Sequence, residues 1–301
     1  MRICEFAHNL IAATTLAGKL QPPPHAYDDA QPNEFAAPSW PGRPANLAIV
    51  HGNHAKVPPI TGMRDPHQRV RILHALANHE LQAIELFAWA LLRFPDAPPA
   101  FRRGLVAILA DEQRHMQLYL DRLAAHGHTF GDFAVTGHFW HKLDDYRSPT
   151  HFVCVMGLTF ENANLDFCCE YATAATAAGD HDTARVLQQV HDEEISHVHF
   201  GWVWLHKFAQ LELQPQPAAP TAATAPPVVD TEATDDAPTR TAGPLDPAWQ
   251  VYCDHLSFPL GPHRARGKTF DVHARKRAGL SQAFIDALAA TAAKRPSGQP
   301  R

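Results

Sequence analysis

The chain has 301 residues, 45% of them hydrophobic, and a formal net charge of −5 with an isoelectric point near 6.5. This length suffices for one large domain with extensions or for two domains, and the acidic charge gives no reason to expect binding to nucleic acid or to an anionic membrane. The 5 cysteines form no C-x-x-C pair, which excludes a disulfide framework or a zinc knuckle and favours a reducing cytoplasmic location.

The N-terminal region, residues 1–66, is predicted to be an irregular extension. Its first apolar segment carries Glu5 and His8 where a signal peptide keeps an uninterrupted apolar run, so we expect no export signal. The proline-rich stretch that follows cannot form a long helix, and we expect it to wrap around the surface of a helical core. No run of 18 uncharged apolar residues occurs in the sequence, which predicts no membrane span.

Apolar residues at intervals of three and four predict four long helices within residues 67–212. Proline and glycine mark the breaks between the helices, and Asp180 is the predicted cap of the fourth. An aromatic-rich crossover, residues 127–149, joins the second helix to the third, as a bundle built from two repeated hairpins requires. The predicted helices span about residues 66–94, 99–126, 149–178 and 180–210. The pattern predicts an all-α fold with a four-helix bundle at its centre.

The sequence after the predicted bundle divides into two parts. Residues 213–244 are rich in Pro, Ala and Thr, which predicts a disordered linker. Residues 245–301 regain aromatic side chains and predict a docking segment with a short helix from about Ser281 to Ala293. A basic cluster in this segment is small within an acidic chain, so we interpret it as a solvated or docking surface rather than a nucleic-acid site. The cluster comprises Arg264, Arg266, Lys268, Arg275, Lys276 and Arg277.

A repeat of carboxylates and histidines runs through the four predicted helices. Each half of the bundle carries one lone glutamate and then, 32 or 33 residues later, a Glu-x-x-His motif. Residues three apart share one helix face, so each motif can hold a metal ion from one direction while the lone glutamate caps it from the neighbouring helix. The six candidate metal ligands, which would also be the catalytic residues, are Glu80, Glu112, His115, Glu161, Glu194 and His197.

The same pattern can also be interpreted without a metal, as a set of carboxylates on helix surfaces and histidines in the core. The apolar neighbours of Glu80 and Glu161 argue against it, because burying an uncompensated carboxylate costs on the order of several kcal/mol. A third match, Glu5-x-x-His8, has no companion glutamate and is interpreted as accidental. We interpret the adjacent Cys168 and Cys169 as packing residues rather than redox groups. Histidines outside the repeat receive no role; they include His51, His54, His126, His128, His138 and His141.

These motifs resemble a ferritin-like family, the one catalogued as domain of unknown function 455. The resemblance covers roughly residues 40–290 outside the linker, and a more distant similarity links the chain to the di-iron hydroxylase that modifies isopentenylated tRNA. It implies a ferritin-like four-helix bundle with a di-metal site. The segments that carry it are residues 78–86, 111–115, 161–166, 193–197 and 274–280. The chain departs from the family pattern in its linker and in Asn162-Ala163-Asn164, where an Arg-Gly-type sequence is expected after Glu161.

The ligand types indicate the metal. Carboxylates with two imidazoles suit iron or manganese, and a carboxylate-bridged pair of such ions suits the two-electron reduction of dioxygen. We therefore expect two iron ions, with manganese or a mixed manganese and iron pair as alternatives, and dioxygen as co-substrate. The ligands divide into three pairs, namely the bridges Glu112 and Glu194, the terminal imidazoles His115 and His197, and the end caps Glu80 and Glu161. Candidates to orient the imidazoles are Asp111, Asp166 and Asp192.

Two functions fit such a site. The first is an oxygenase or oxidase that acts on an organic substrate, a small molecule or a modified nucleoside, in a cavity lined by groups such as Phe87, Phe160 or Phe200. The second is an iron-handling or peroxide-consuming protein without an organic substrate, and a metal-poor scaffold is the remaining alternative. The long crossover and the appended tail favour the first, because extra segments can build a lid over a substrate. The sequence leaves the substrate, the electron donor and the oligomeric state open.

Overall fold

The structure, a computed structural model, describes residues 1–30, 33–212 and 246–291. Within these ranges nearly all regular structure is helical, which confirms the prediction of an all-α fold. None of the described helices is both long and apolar enough to cross a membrane. The predicted linker, residues 213–244, lies outside the described residues.

Four long helices dominate the described chain, and shorter ones flank them on both sides. In chain order the α-helices are α1 (Ile3–Ala12), α2 (Leu16–Lys19), α3 (Pro66–Arg93), α4 (Pro99–Ala125), α5 (Pro149–Phe152), α6 (Asn162–Ala177), α7 (His181–Ala209), α8 (Pro247–Asp254), α9 (Val272–Arg277) and α10 (Gln282–Ala290). A π-helical segment, Val153–Glu161, connects α5 to α6, so that these three pieces form one continuous helix. The strands β1 (Ile49–Val50) and β2 (Val135–Thr136) have two residues each.

Local sequence signals fix the helix ends. The Asp65 side chain accepts a 2.8 Å hydrogen bond from the backbone N–H of His67, and proline follows it in the first turn of α3. Asp180 caps α7 through the backbone N–H of Thr183 at 3.1 Å, as predicted. Gly127, just beyond α4, has a φ of +75°, a left-handed conformation that favours glycine.

The long helices pack as two hairpins. One consists of α3 and α4, the other of α7 and the continuous helix before it, and α4 lies against α7. Within the second hairpin Gly157 and Gly201 face each other so closely that a Cβ added to Gly157 would lie 3.0 Å from the Cα of Gly201. Because glycine has no side chain, the two helix backbones can come into direct contact here, close to His197.

The π-helical segment was not predicted from the sequence. It ends at Glu161, and within it the Thr159 hydroxyl donates a 2.8 Å hydrogen bond to the carbonyl of Cys154. The same hydroxyl lies 2.8 Å from the Tyr252 hydroxyl of α8. Segments of π-helix occur often at functional sites, because the wider turn shifts the side chains that follow it. Here it sets the position of Glu161.

The N-terminal extension and the crossover both pack along α3. Strand β1 pairs in parallel with β2, and the Gln82 side chain accepts a 3.0 Å hydrogen bond from the backbone N–H of Phe139. The fully buried Glu85 of α3 binds both regions. Its carboxylate accepts hydrogen bonds from Arg43 at 2.6 and 2.7 Å and from the Trp140 indole at 2.7 Å, and Lys19 lies 3.0 Å away.

The C-terminal segment, residues 246–291, docks on α6 and α7. The fully buried Arg275 donates two hydrogen bonds to Asp166, at 2.8 and 2.9 Å. The Phe284 ring of α10 meets Trp202 of α7 edge to face. The predicted basic cluster is therefore divided, because Arg275 is a buried anchor whereas Lys268 is exposed to solvent.

Candidate metal centre

All six predicted ligands lie on the four long helices and point into the space between them. The most exposed of them, Glu161, has a relative accessibility of only 6%. Glu80 comes from α3, one Glu-x-x-His from α4, Glu161 from the end of the π-helical segment, and the other Glu-x-x-His from α7. The structure thus brings together residues that are separated by as many as 117 positions in the sequence.

The six side chains form two overlapping groups of four. Within each group the nearest nitrogen and oxygen atoms all lie within 4.8 Å of one another, close enough to hold a metal ion. Glu112 and Glu194 belong to both groups, which matches the bridging positions assigned from the sequence. The groups are Glu80, Glu112, His115 and Glu194 on one side, and Glu112, Glu161, Glu194 and His197 on the other.

Both imidazoles turn Nδ1 toward the shared carboxylates. The Nδ1 of His197 lies 2.9 Å from Glu194 Oε2 and 3.1 Å from Glu112 Oε1. The Nδ1 of His115 is farther out, at 3.7 Å from Glu194 Oε1 and 3.8 Å from Glu112 Oε2. The spacing at His115 is too wide for hydrogen bonds but leaves room for an ion between the three side chains.

Two buried atoms of this cluster lack a hydrogen bond: His115 Nδ1, and Glu112 Oε1, whose 3.1 Å contact with His197 Nδ1 does not have hydrogen-bond geometry. An unsatisfied buried polar atom costs about 1–3 kcal/mol, so native proteins rarely retain one without a reason. Both atoms are ligand types for a divalent transition metal and both face the centre of the cluster. The residues therefore fit metal ions at this position.

The outer nitrogen of each imidazole meets an acidic residue from the opposite half of the chain. The Nε2 of His115 lies 3.0 Å from Glu193 Oε2, and the Nε2 of His197 lies 3.3 Å from Asp111 Oδ2. Arg114 links the two acids, since it donates hydrogen bonds to both. Such partners fix the tautomer and orientation of a metal-binding imidazole, leaving Nδ1 free to bind.

One of the three acids proposed from the sequence to orient the imidazoles, Asp111, takes that position. Asp166 instead pairs with Arg275, and Asp192 lies 3.1 Å from His191, so neither contacts a ligand imidazole. Glu193 was missed. A signal for it exists in the sequence, because an acidic residue directly precedes the bridging glutamate in both halves, as Asp111-Glu112 and Glu193-Glu194.

Protons balance the charge of this cluster in the metal-free protein. Burial, together with the negative charge of Glu112, raises the pKa of Glu80 well above its usual range. Burial also raises the pKa of Glu161, and the charge of Glu194 adds to the effect. Burial alone would lower the pKa of His115, but the neighbouring carboxylates of Glu112, Glu193 and Glu194 raise it to about 9. A metal ion bound between these side chains would displace these protons.

The sequence Asn162-Ala163-Asn164 after Glu161 has a defined structural role. The Asn164 amide donates a 2.9 Å hydrogen bond to Glu194 Oε1, which orients a shared carboxylate. Asn162 is fully buried and donates a 3.3 Å hydrogen bond to the Leu158 carbonyl one turn earlier. The short amides thus support the cluster from the helix that carries Glu161.

A cavity of about 340 Å³ opens beside the cluster and is bounded by Glu80, Glu112 and Glu161. Its other walls are mainly apolar, with contributions from the crossover and the C-terminal segment. These walls include Leu76, Ala83, Phe139, Phe160, Ala163 and Phe167. The cavity therefore connects the candidate metal ligands with an apolar compartment large enough for a small organic molecule.

The predicted cavity lining is correct for Phe160 but wrong for Phe87 and Phe200. Those two rings flank a separate gap behind His197 that is too small for a water molecule. Phe200 is held there because its ring stacks on Phe101 at 5.3 Å. The helical pattern places all three rings among the long helices, but it does not specify on which side of the ligands each one lies.

A third cluster of ligand-type side chains lies outside the centre. Cys169, His191 and Asp271 bring their Sγ, imidazole and carboxylate atoms within 4.8 Å of one another, so they can also hold a metal ion. His191 Nε2 lies 3.2 Å from Asp271 Oδ2. The interpretation of the cysteines as packing residues suits the buried Cys168, whereas Cys169 is only half-buried and belongs to this polar cluster.

The third Glu-x-x-His match, at the N-terminus, does not join either group of ligands. His8 stacks on Phe35 with ring centroids 4.7 Å apart, and Glu5 lies 3.9 Å from Arg2. Its separation from the described ligand clusters agrees with an accidental match.

Comparison with protein-family models identifies the family. The model described as "Protein of unknown function (DUF455)" matches residues 4–286, nearly the whole chain. The chain belongs to the DUF455 family. The match confirms the predicted family, and it extends beyond residues 40–290 at the N-terminal side to include α1. No curated protein and no solved structure matches this DUF455 chain.

Proposed function

We propose that this DUF455 protein is a ferritin-like, non-haem di-iron oxidase or oxygenase, which uses dioxygen to hydroxylate or oxidise a small organic substrate. One observation carries the proposal, the two overlapping groups of buried ligands that share Glu112 and Glu194. A glutamate and a Glu-x-x-His from each of two helix hairpins are the ligand set of the di-metal carboxylate proteins of ferritin-like fold.

The donor set favours iron, with manganese as the alternative. Four carboxylates and two imidazoles are hard or intermediate donors, and the described part of the centre offers no thiolate among its ligand groups. A carboxylate-bridged pair of iron ions supplies two-electron reduction of dioxygen when bound. Glu112 and Glu194 would hold both ions, and the other four ligands would hold one each.

The surrounding residues of the chain hold the ligands in place. Asp111 and Glu193 accept hydrogen bonds from the outer imidazole N–H groups and so keep each Nδ1 directed at the centre. Arg114 restrains both acids, and Asn164 restrains Glu194. A site held by packed helices and a second set of hydrogen bonds keeps its geometry during a reaction.

The cavity supports an organic substrate over iron storage. It reaches Glu80 and Glu161, and its aromatic wall includes Phe139 and Phe160 stacked at 4.7 Å. The crossover supplies Phe139, so the segment between the hairpins covers the cluster. An apolar compartment next to an oxidising centre holds a substrate near it and limits access of water.

Oxygen uptake and product analysis test the proposal. Iron-loaded, chemically reduced protein should consume dioxygen and convert an organic molecule from a metabolite pool, with ¹⁸O₂ label or two-electron oxidation detected by mass spectrometry. Glu112→Ala should abolish conversion by removing a shared ligand. Glu5→Ala is the matched control, because Glu5 stands in the third Glu-x-x-His and contacts no member of the centre. Accumulation of ferric iron beyond two ions per chain without any organic product would instead support an iron-handling function.

A further inference from the structure

The cavity has a positively charged side as well as an acidic one. Arg264 and Arg266 of the C-terminal segment line it together with His138 of the crossover, and the candidate metal ligands Glu80, Glu112 and Glu161 line it as well. The apolar rings of Phe139 and Phe160 also line this cavity. A ligand in this cavity would therefore meet guanidinium groups in addition to the candidate metal centre.

Neither guanidinium is paired with a carboxylate in the part of the chain that the structure describes. Arg264 makes a 3.3 Å contact with His138 Nε2, and Arg266 donates to backbone carbonyls that include Thr291, at 3.1 Å. Two fully buried arginines of the protein behave differently, since Arg102 and Arg275 each form two hydrogen bonds with a carboxylate. Arg264 and Arg266 thus differ from the arginines that anchor the fold.

Of the two arginines, Arg264 is the better candidate for binding an anion. Arg266 has a structural task, because it binds the carbonyls of Ala289 and Thr291 at the end of α10. Arg264 has no such backbone partner among the described residues, and burial lowers its pKa without a neighbouring acid to offset the effect. A half-buried cation beside an open cavity can recover the lost solvation from an anionic ligand.

We propose that Arg264, with Arg266 and His138 beside it, binds the anionic group of the substrate, which is therefore an organic oxyanion with a small apolar body. That the bound anion is a substrate rests on the proposed function. The anion site itself requires only the cavity and its arginines. A carboxylate and a phosphate monoester share the required chemistry, since each accepts two parallel hydrogen bonds from a guanidinium.

The cavity also limits the size and orientation of this substrate. A water molecule, which has one non-hydrogen atom, takes up roughly 30 Å³ in the liquid. By that measure a cavity of about 340 Å³ has room for on the order of ten non-hydrogen atoms. With the anion at Arg264, the apolar body would lie along the stacked rings of Phe139 and Phe160. Its far end would then be directed toward the carboxylates of Glu80 and Glu161, next to the metal positions.

Calorimetric titration with charged and neutral probes tests the anion site. The probes are 3-phenylpropanoate, phenyl phosphate and the neutral 3-phenylpropanamide, titrated under anaerobic conditions into protein whose metal content has been measured. At least one acid should bind about tenfold or more tightly than the amide, the range expected for a charged hydrogen-bonded pair. Preference between carboxylate and phosphate identifies the type of oxyanion.

Substitutions then assign the preference to Arg264. In Arg264→Gln the acid should bind no more tightly than the amide, whereas the affinity for the amide, which reports an intact cavity, should stay the same. Arg264→Lys should retain part of the preference because it keeps the charge. Lys268→Gln is the matched control, since Lys268 belongs to the same basic cluster but is exposed and does not line the cavity.

Three results would overturn the inference. The first is equal binding of acid and amide by the unmodified protein, and the second is no binding of either acid. The third is an affinity for the acid that Arg264→Gln leaves unchanged, which would mean that the anion binds to the metal ions instead. These outcomes are separate from a failure of the proposed function. A protein that binds the acids through Arg264 but consumes no oxygen would keep the anion site and lose the oxidase.

Discussion

Glu80 and Glu85 lie five residues apart on α3, are both buried, and are expected to respond in opposite ways to loss of charge. Glu85 neutralises two buried cations, Lys19 at 3.0 Å and Arg43 at 2.6 Å. Glu80 faces other carboxylates, and burial and the charge of Glu112 raise its pKa. Glutamine has nearly the shape of a protonated glutamate, so Glu→Gln at each position changes charge with little change in packing.

The magnitudes follow from these surroundings. Glu85→Gln leaves two buried cations without a carboxylate, and breaking a buried ion pair in this way costs about 3–5 kcal/mol. At roughly 2–4 °C per kcal/mol for a protein of this size, the thermal midpoint should fall by about 6–20 °C. A carboxyl group whose pKa is raised by folding destabilises the native state above its unfolded pKa. Glu80→Gln removes that penalty and should leave the metal-free midpoint unchanged or raise it.

Differential scanning calorimetry with and without iron measures both effects. Iron that binds only the folded protein should raise the midpoint of the unmodified protein and of Glu85→Gln by similar amounts, but that of Glu80→Gln by less, because one ligand is lost. The reasoning is refuted if Glu80→Gln lowers the metal-free midpoint as much as Glu85→Gln does. It is also refuted if iron stabilises Glu80→Gln as strongly as the unmodified protein.

Three further predictions concern metal binding, docking and pH. His115→Ala and His197→Ala should each lower the iron or manganese bound per chain in elemental analysis, whereas His8→Ala should not; a reproducible single zinc ion in the unmodified protein would contradict the assignment. Arg275→Met leaves its carboxylate partner buried and unpaired, and chemical denaturation should show a loss of about 3–5 kcal/mol. Burial lowers the pKa of His74 to about 4, so the unfolded chain takes up a proton first as pH falls from 6.5 toward 4. The stability advantage of the unmodified protein over His74→Gln should therefore shrink across that interval, and an advantage that grows toward acid would contradict the sign.

Much of the centre was predictable because helical geometry relates sequence spacing to position. Residues three apart share a helix face, so the repeated Glu-x-x-His motifs pointed to the same space that the structure shows for His115 and His197. The bounds of the four helices were predicted to within a few residues, since strong apolar periodicity, proline and glycine breaks and the capping residue Asp180 act locally.

The π-helical segment was not predictable from the same signals. Residues 153–158 are apolar or glycine throughout, so they have no polar face from which a change in helical period could be detected. The segment also makes tertiary contacts, such as the hydrogen bond between Thr159 and Tyr252. Tyr252 lies 93 positions away, beyond the residues that any local pattern samples.

The cavity wall also depends on contacts between distant segments. Composition identified a basic cluster in the C-terminal segment, but it did not distinguish the buried anchor Arg275 from Arg264 at the cavity or from the exposed Lys268. These residues lie in short or irregular stretches where no periodicity assigns a face. Their environments are set by docking on α6 and α7, which is a property of the assembled fold.

The most direct test of a two-metal centre is anomalous X-ray scattering from crystals of the iron-loaded protein, recorded on both sides of the iron absorption edge. We expect two peaks of similar height about 3.5–4 Å apart, the usual separation in two-metal sites, one within each overlapping group of ligands and both in contact with Glu112 and Glu194. A single peak, or iron bound only at Cys169, His191 and Asp271, would contradict the account.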